Sequence, residues 1–363
     1  MAGLVRYNTN DVVNDTQNLT ISSWTNNTNA LTTVFSSSTQ ADFTSPTSSG
    51  AHFIDVYNLV TTDSSSQVQY SVAYGHRHGS GALDYTNDTG AIGNSPSKVI
   101  YNQYRQLVYG DENSFFNFNG VTTDDIYVIN INRARYRHNL KAGSLNLKLK
   151  RLNNVSPTYN SAFATNADTL HLTDDSVTTS GSATITNAGR QFTIVSGSSG
   201  TQLNLLGNGT VSSNKSQAAD GSSGSYGFFY PDAGFMILNP QAISCSIGFA
   251  PSRSSNVSCQ NHDKFAKMIS HGGSFILDSQ EKVSSQYYFT RARNYEFNYT
   301  TNPSYIDTTG NLNYTSMIDN PTTYITTVGL YNDAGDLVAV AKLSQPVVKD
   351  FTKEALIRVK LDY

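Results

Sequence analysis

Sulfur is nearly missing from this chain: two cysteines and four methionines stand among 363 residues. Cys245 and Cys259 are too few for a disulfide framework and show no CxxC spacing. The expectation is two free thiols in a reducing compartment. Charge is scarce as well, with Asp, Glu, Lys and Arg at 14% and a formal net charge of −3. Gripping a phosphate backbone needs clustered Lys and Arg to displace counterions, so nucleic acid is excluded as the main partner. No window approaches the roughly 20 apolar residues of a membrane span. The N-terminal MAGLVRYNTNDVV lacks the apolar core of a signal peptide. P-loop, Rossmann, zinc-finger and GxSxG signatures are all missing, which removes the common motif-bearing enzyme classes.

What fills the chain is Ser, Thr, Asn and aromatic residues, with Tyr at 22 and Phe at 17 against a single Trp. Tyr, Thr, Val and Ile suit strands, while Gly, Asn, Asp and Ser suit the turns between them. The fold class expected is all-β, sandwich-like and mostly antiparallel, with a few short helices. N-x-S/T triplets such as Asn18-Leu19-Thr20 and Asn208-Gly209-Thr210 arise by chance in such a composition and do not predict glycans.

Residues 1–50 are polar, with short apolar beats, and read as an extended arm or as peripheral strands. The main β body is expected over 51–152 and 226–363. DIYVININ (125–132) and SLNLKLKRL (144–152) alternate as strands, the second with Leu145, Leu147 and Leu149 inward. SPSKVIYNQYRQLVYG predicts a helix capped by Ser95 or Ser97, striped by Val99, Ile100, Tyr104, Leu107 and Val108, and stopped by Gly110. A shorter helix is expected at NHDKFAKMISHGG, with Phe265, Met268 and Ile269 inward and His262 and His271 at its flanks. Pro231-Asp232-Ala233-Gly234 and Asp333-Ala334-Gly335 mark hairpin turns. In the closing strand LIRVKLDY, Ile357, Val359, Leu361 and Tyr363 face in, and Arg358, Lys360 and Asp362 face out. Composition shifts to Ser, Thr and Gly over 153–225, which reads as an inserted small β domain that could meet a specific neighbour.

Three clusters carry candidate chemistry. In YYFTRARNYEFNY, a period of two puts Tyr287, Phe289, Arg291, Arg293, Tyr295, Phe297 and Tyr299 on one face of a single long strand. Aromatics with Arg are what subunit interfaces select, and a sheet core merging into an interface ranks above a base- or glycan-stacking platform. His76 and His78 stand at HxH spacing and are the only metal candidates, in a loop without obvious further ligands. Asp124-Asp125 and Asp174-Asp175 are adjacent, so on a strand they point to opposite faces and form no acid/base couple. The basic stretch RARYRHNLKAG, with Arg133, Arg135, Arg137 and Lys141, reads as a solvated hairpin loop. No catalytic residue and no cofactor is expected.

The hairpin TTVGLYNDAGDLVAVAKLSQPVVKD resembles the GLY-x-x-x-G-x-L-hydrophobic-A pattern of phage tail-fibre and baseplate structural proteins. With VIYNQYRQLVYGDENSFF, IYVININRARYRHNLKAGSLNLKL, YGFFYPDAGFMILNP and FTRARNYEFNYTTNPSYI, it looks like a family of virion structural proteins of large contractile-tailed, T4-like phages, cyanobacterial ones above all. The resemblance covers roughly 50–152 and 226–363. It implies a structural protein of the tail, in the baseplate or where fibres attach, assembled in the host cytoplasm into the virion. It further implies no enzymatic activity, partners among other tail and baseplate proteins, and several copies by symmetry or a homo-oligomer. A glycan-recognising fibre adhesin and a neck- or capsid-associated protein are the alternatives.

Overall fold

The computed structural model describes residues 5–28, 30–31, 35–36, 53–82, 95–151, 169–177, 183–198, 201–204, 224–247, 250–251, 261–270, 272–299 and 302–363. Its strands in chain order are β1 (Val12–Ser22), β2 (Ala30–Leu31), β3 (Phe35–Ser36), β4 (Phe53–Tyr57), β5 (Val68–His76), β6 (Asn117–Phe118), β7 (Val121–Thr122), β8 (Asp125–Ile131), β9 (Asn139–Leu140), β10 (Asn146–Lys150), β11 (Thr169–Asp174), β12 (Thr184–Thr186), β13 (Gly189–Ser198), β14 (Thr201–Asn204), β15 (Gly227–Tyr230), β16 (Phe235–Leu238), β17 (Ser274–Ile276), β18 (Asp278–Ala292), β19 (Thr323–Tyr331), β20 (Leu337–Lys349) and β21 (Ala355–Asp362). Among the described residues four α-helices join them: α1 (Pro96–Tyr109), α2 (Pro240–Ile247), α3 (Asn261–Ser270) and the one-turn α4 (Ser316–Asp319). The fold is all-β and mostly antiparallel, with few helices.

The chain divides into two compact units, one of Met1–Asn18 with Lys282–Tyr363 and one of Leu19–Glu281. The second unit holds a sheet in the order β2-β17-β10-β11-β13-β15-β16-β8-β5-β4-β3, with β12 and β14 on β13. Its middle strands bury both faces. On β8, Tyr127, Ile129 and Ile131 enter one core while Ile126 and Val128 enter the other. On β16, Met236 and Leu238 divide from Phe235 and Ile237 in the same way. Two-sided burial is why DIYVINI, GFFY and FMIL read as near-continuous apolar runs. The sheet curls on itself. Phe275 of β17 and Tyr70 of β5 are far apart in strand order, yet their rings meet at 5.3 Å, with Trp24 against both. The inside of this curl is filled by Ala242, Ile243 and Ile247 of α2 and by Phe265, Met268 and Ile269 of α3.

Helix α1 covers the other core with Ser97, Tyr101 and Val108 buried and with Ile100 and Tyr104 of the expected stripe packed against it; Val99 and Leu107 face solvent. Ile100, Tyr104 and Val108 of the predicted stripe are thus found on the core side, while Val99 and Leu107 give way to Tyr101, which takes the central place against Phe116. Ser95 takes the N-cap position, but its side chain makes no capping bond. Its hydroxyl donates to Gly79 O, and that of Ser97 donates to Ser80 O, tying the helix to the loop after β5. Gly75 permits the close approach, since a Cβ there would lie 2.9 Å from Tyr101 N.

Three expectations are corrected or fall outside. Strands β11 and β13 of the 153–225 stretch lie inside the large sheet, paired to β10 and β15, so they continue the body instead of hanging from it. Residues 153–168, 178–182, 199–200 and 205–223 of that stretch are outside the described residues, as are Cys259 and His271. Helix α2 was not anticipated, although Asn239 before Pro240 is a cap signal. The Asn239 Oδ1 accepts from the N–H of Gln241 at 3.0 Å and Ala242 at 3.4 Å.

The first unit is a small two-layer structure. One layer runs β1-β18-β21 and the other is the β19–β20 hairpin. Val328, Leu330, Ile357 and Val359 form its core, with Tyr288, Ile325, Ala339, Ala341, Leu343 and Leu361 packed around them. The inward set expected for the last strand is thus found for Ile357, Val359 and Leu361, while Tyr363 is exposed.

Candidate functional site

Tyr287, Phe289 and Arg291 share the outer face of β18, as their alternation requires. The register places Tyr287 opposite Lys360, Phe289 opposite Arg358 and Arg291 opposite Leu356. The two strands therefore build one ladder in which aromatic and cationic side chains alternate. The Arg358 guanidinium stands 5.5 Å from the Tyr287 ring centre and the Lys360 ammonium 5.9 Å, both within cation–π range. Arg291 is paired to Glu354 at 2.5 Å and Lys360 to Asp362 at 3.0 Å. Arg358 has no carboxylate partner among the described residues. Leu356, 68% exposed, adds an apolar surface at the end of the ladder.

The long strand expected over 287–299 stops at Ala292. Arg293, Tyr295, Phe297 and Tyr299 leave the sheet and do not continue the face. The chain turns because Arg293 N–H donates to the Glu296 carboxylate and Glu296 N–H donates back to Arg293 O. The turn is then clamped from below. Lys349, fully buried at the end of β20, donates through Nζ to Asn294 O (2.8 Å), Asn298 Oδ1 (2.8 Å) and Asp350 O (3.0 Å). Phe297 is held at φ 55°, a left-handed conformation rare for an aromatic residue, with its carbonyl accepting from Thr323 Oγ1. The result is an open cavity of about 490 Å³ lined by Tyr295, Phe297, Tyr299, Leu312, Ile318 and Phe351, among others. Six of the seven candidates thus split between a sheet ladder and an aromatic cavity, while Arg293 stands in the turn between them and donates to the Tyr295 hydroxyl at 2.8 Å. Lys349 and Arg358, absent from that set, organise each. Lys349 carries no sequence signal, whereas the outward alternation of LIRVKLDY pointed to Arg358.

The remaining candidates serve structure. His76 is buried, and its Nδ1 accepts from the N–H of His78 (3.1 Å) and Ser80 (3.3 Å), which shapes the loop. Among the described residues no third ligand joins the two histidines. Asp125 is buried within β8, while Asp124 reaches Arg77 at 3.5 Å, so the two diverge as expected. Asp174 accepts from Gly143 and Ser176 N–H, and Asp175 accepts from Thr193 N–H. Burial pushes both of their carboxyls above the usual carboxylate range. Arg133 donates to Tyr136 O, and Arg135 donates to Thr25 Oγ1 and Gln67 Oε1, so the basic stretch fastens neighbouring loops. No family model matches this chain, and neither curated proteins nor solved structures give a significant match.

Proposed function

We propose that the chain is a non-enzymatic structural component of a phage contractile tail, sited at the baseplate, which works by assembly with neighbouring tail proteins. The observation that carries this reading is the open ladder of Tyr287, Phe289, Arg291, Leu356, Arg358 and Lys360 on the outer face of the first unit. Aromatic and Arg anchors on a rigid sheet are the composition from which interface hot spots are drawn. Strand β1 supports the reading as well. It pairs with β18 alone among the described residues, and it is eleven residues long without the Pro or Lys that blunts an edge. Such an edge can accept a further strand from a neighbour. Immunogold labelling of intact virions tests the placement. Gold at the tail tip is the expected result, and particles free of the chain overturn the reading.

A second reading, a receptor-binding adhesin for surface glycans, is favoured by the aromatic cavity around Tyr295, Phe297 and Tyr299. Exposed flat rings beside hydrogen-bonding groups suit a sugar face. Binding to a glycan array that is lost in Tyr295→Ala and Tyr299→Ala would support it, and an array without signal would remove it.

A further inference from the structure

The first unit has two outer surfaces of opposite character. Side chains alternate on strands, so the residues that do not enter the shared core point away from it on each layer. On the β18–β21 layer the outer residues are the aromatic–cationic ladder, with Arg358 lacking a carboxylate among the described residues. On the β19–β20 layer they are apolar: Tyr331, Val338 and Val340 are 49%, 67% and 58% exposed, with Leu337 beside them. The tip of this hairpin, between Tyr331 and Leu337, carries Asp333 and Asp336. Neither has a cation partner among the described residues. Asp336 is held in place by the turn, its N–H donating to Asn332 Oδ1 and its carboxylate accepting from Asn332 Nδ2. Lys342, opposite Thr327, is the one outward cation on the hairpin and stands well back from the tip.

We infer that the apolar, acidic end of the β19–β20 hairpin docks on the aromatic–cationic ladder of β18–β21 in a second copy of this chain. The proposal rests on the assembly reading above and names its contact. Charge selects the occupant: Asp333 and Asp336 meet Arg358 and Lys360, while Tyr331, Leu337 and Val338 cover Phe289, Tyr287 and Leu356. A ladder-to-ladder dimer would oppose like charges, and so would a tip-to-tip dimer. The unit cannot satisfy itself either, because the two surfaces lie on opposite sides of its core. The contact is therefore head to tail. Every copy offers both halves, and repetition gives a ring if the rotation closes and a filament if it does not.

The test uses the full chain in sedimentation velocity over a range of concentration and salt. Wild type is expected to self-associate, less so as salt rises. Asp333→Lys with Asp336→Lys, and separately Arg358→Glu with Lys360→Glu, are each expected to weaken association at least about tenfold while leaving the melting temperature unchanged. The decisive sample is an equimolar mixture of the two variants. Each then supplies the charge the other lacks, and large species should return although neither variant forms them alone. A wild-type monomer at all concentrations overturns the inference, as does association that ignores both charge reversals or a mixture that stays dissociated. A chain that stays monomeric yet labels the tail tip removes this contact and leaves the tail reading standing. A chain that assembles head to tail but is missing from virions does the reverse.

Discussion

The curl of the second unit can be tested at Phe275. This ring is fully buried on β17, 4.9 Å from the Trp24 ring centre and 5.3 Å from that of Tyr70 on the distant β5. It is where the sheet meets itself, and its carbonyl accepts the Trp24 Nε1–H at 2.7 Å. Phe275→Ala opens a cavity that backbone on both sides keeps from collapsing, and should cost about 3–5 kcal/mol. Phe275→Leu keeps most of the apolar area and loses two aromatic pairs worth about 0.5–1.5 kcal/mol each, so it should cost about 1–3 kcal/mol. Trp24 is the only tryptophan in the chain and is 2% exposed. Its emission should be blue-shifted in the native protein and report directly on closure of the curl. Urea titrations followed by that emission give both costs as midpoint shifts at constant slope. A native emission already red-shifted, or an alanine cost below about 1 kcal/mol, would refute the closed curl.

Three further outcomes follow from single positions. Gly273→Ala would place a Cβ 2.3 Å from Lys148 O and 2.7 Å from the carbonyl oxygens of Met268 and Ile269, so a loss of at least about 2 kcal/mol is expected in thermal melts. Lys349→Met removes the donor to Asn294 O and Asn298 Oδ1. It should cost about 2 kcal/mol and speed amide exchange across Asn294–Tyr299, whereas unchanged exchange would mean the turn holds itself. Burial lowers the Lys264 pKa from 10.5 to about 8. Between those values the unfolded chain binds the proton more tightly, so this group makes stability rise with pH across that window, and Lys264→Met should flatten the rise between about pH 8 and pH 10.5.

What was legible in the sequence was local. Strands β8, β10 and β21, the hairpins at Pro231–Gly234 and Asp333–Gly335, and helices α1 and α3 announce themselves within a dozen residues through period and turn chemistry. The failures came where a distant partner overrides the local pattern. The period of two in YYFTRARNYEFNY runs on past Ala292, but Lys349 arrives from the end of β20 to bind Asn294 and Asn298, and the strand gives way to a turn. On α1 the local stripe offers Val99, yet the packed sheet takes Tyr101. The Ser/Thr/Gly composition of 153–225 suggested a separate domain. Composition is silent on pairing, and Leu170, Leu172, Ile194 and Phe192 suffice to set β11 and β13 in the shared core.

The ladder of the first unit shows why a functional surface can be half visible. Each strand separately declares its outward residues, because alternation is local. That Arg358 and Lys360 stand beside Phe289 and Tyr287 is a matter of register between strands separated by most of the first unit's sequence. Register here is set by burial: Tyr288 faces Val359 and Thr290 faces Ile357 on the side covered by the hairpin. A slip of one residue would send Ile357 and Val359 to solvent and bring Arg358 and Lys360 against Val328 and Leu330, which no partner in that small core could neutralise. The outer ladder is thus fixed by the requirements of the inner face. A substitution that weakens the core of the hairpin layer, such as Leu330→Ala, would loosen the alignment of the surface charges without touching any of them.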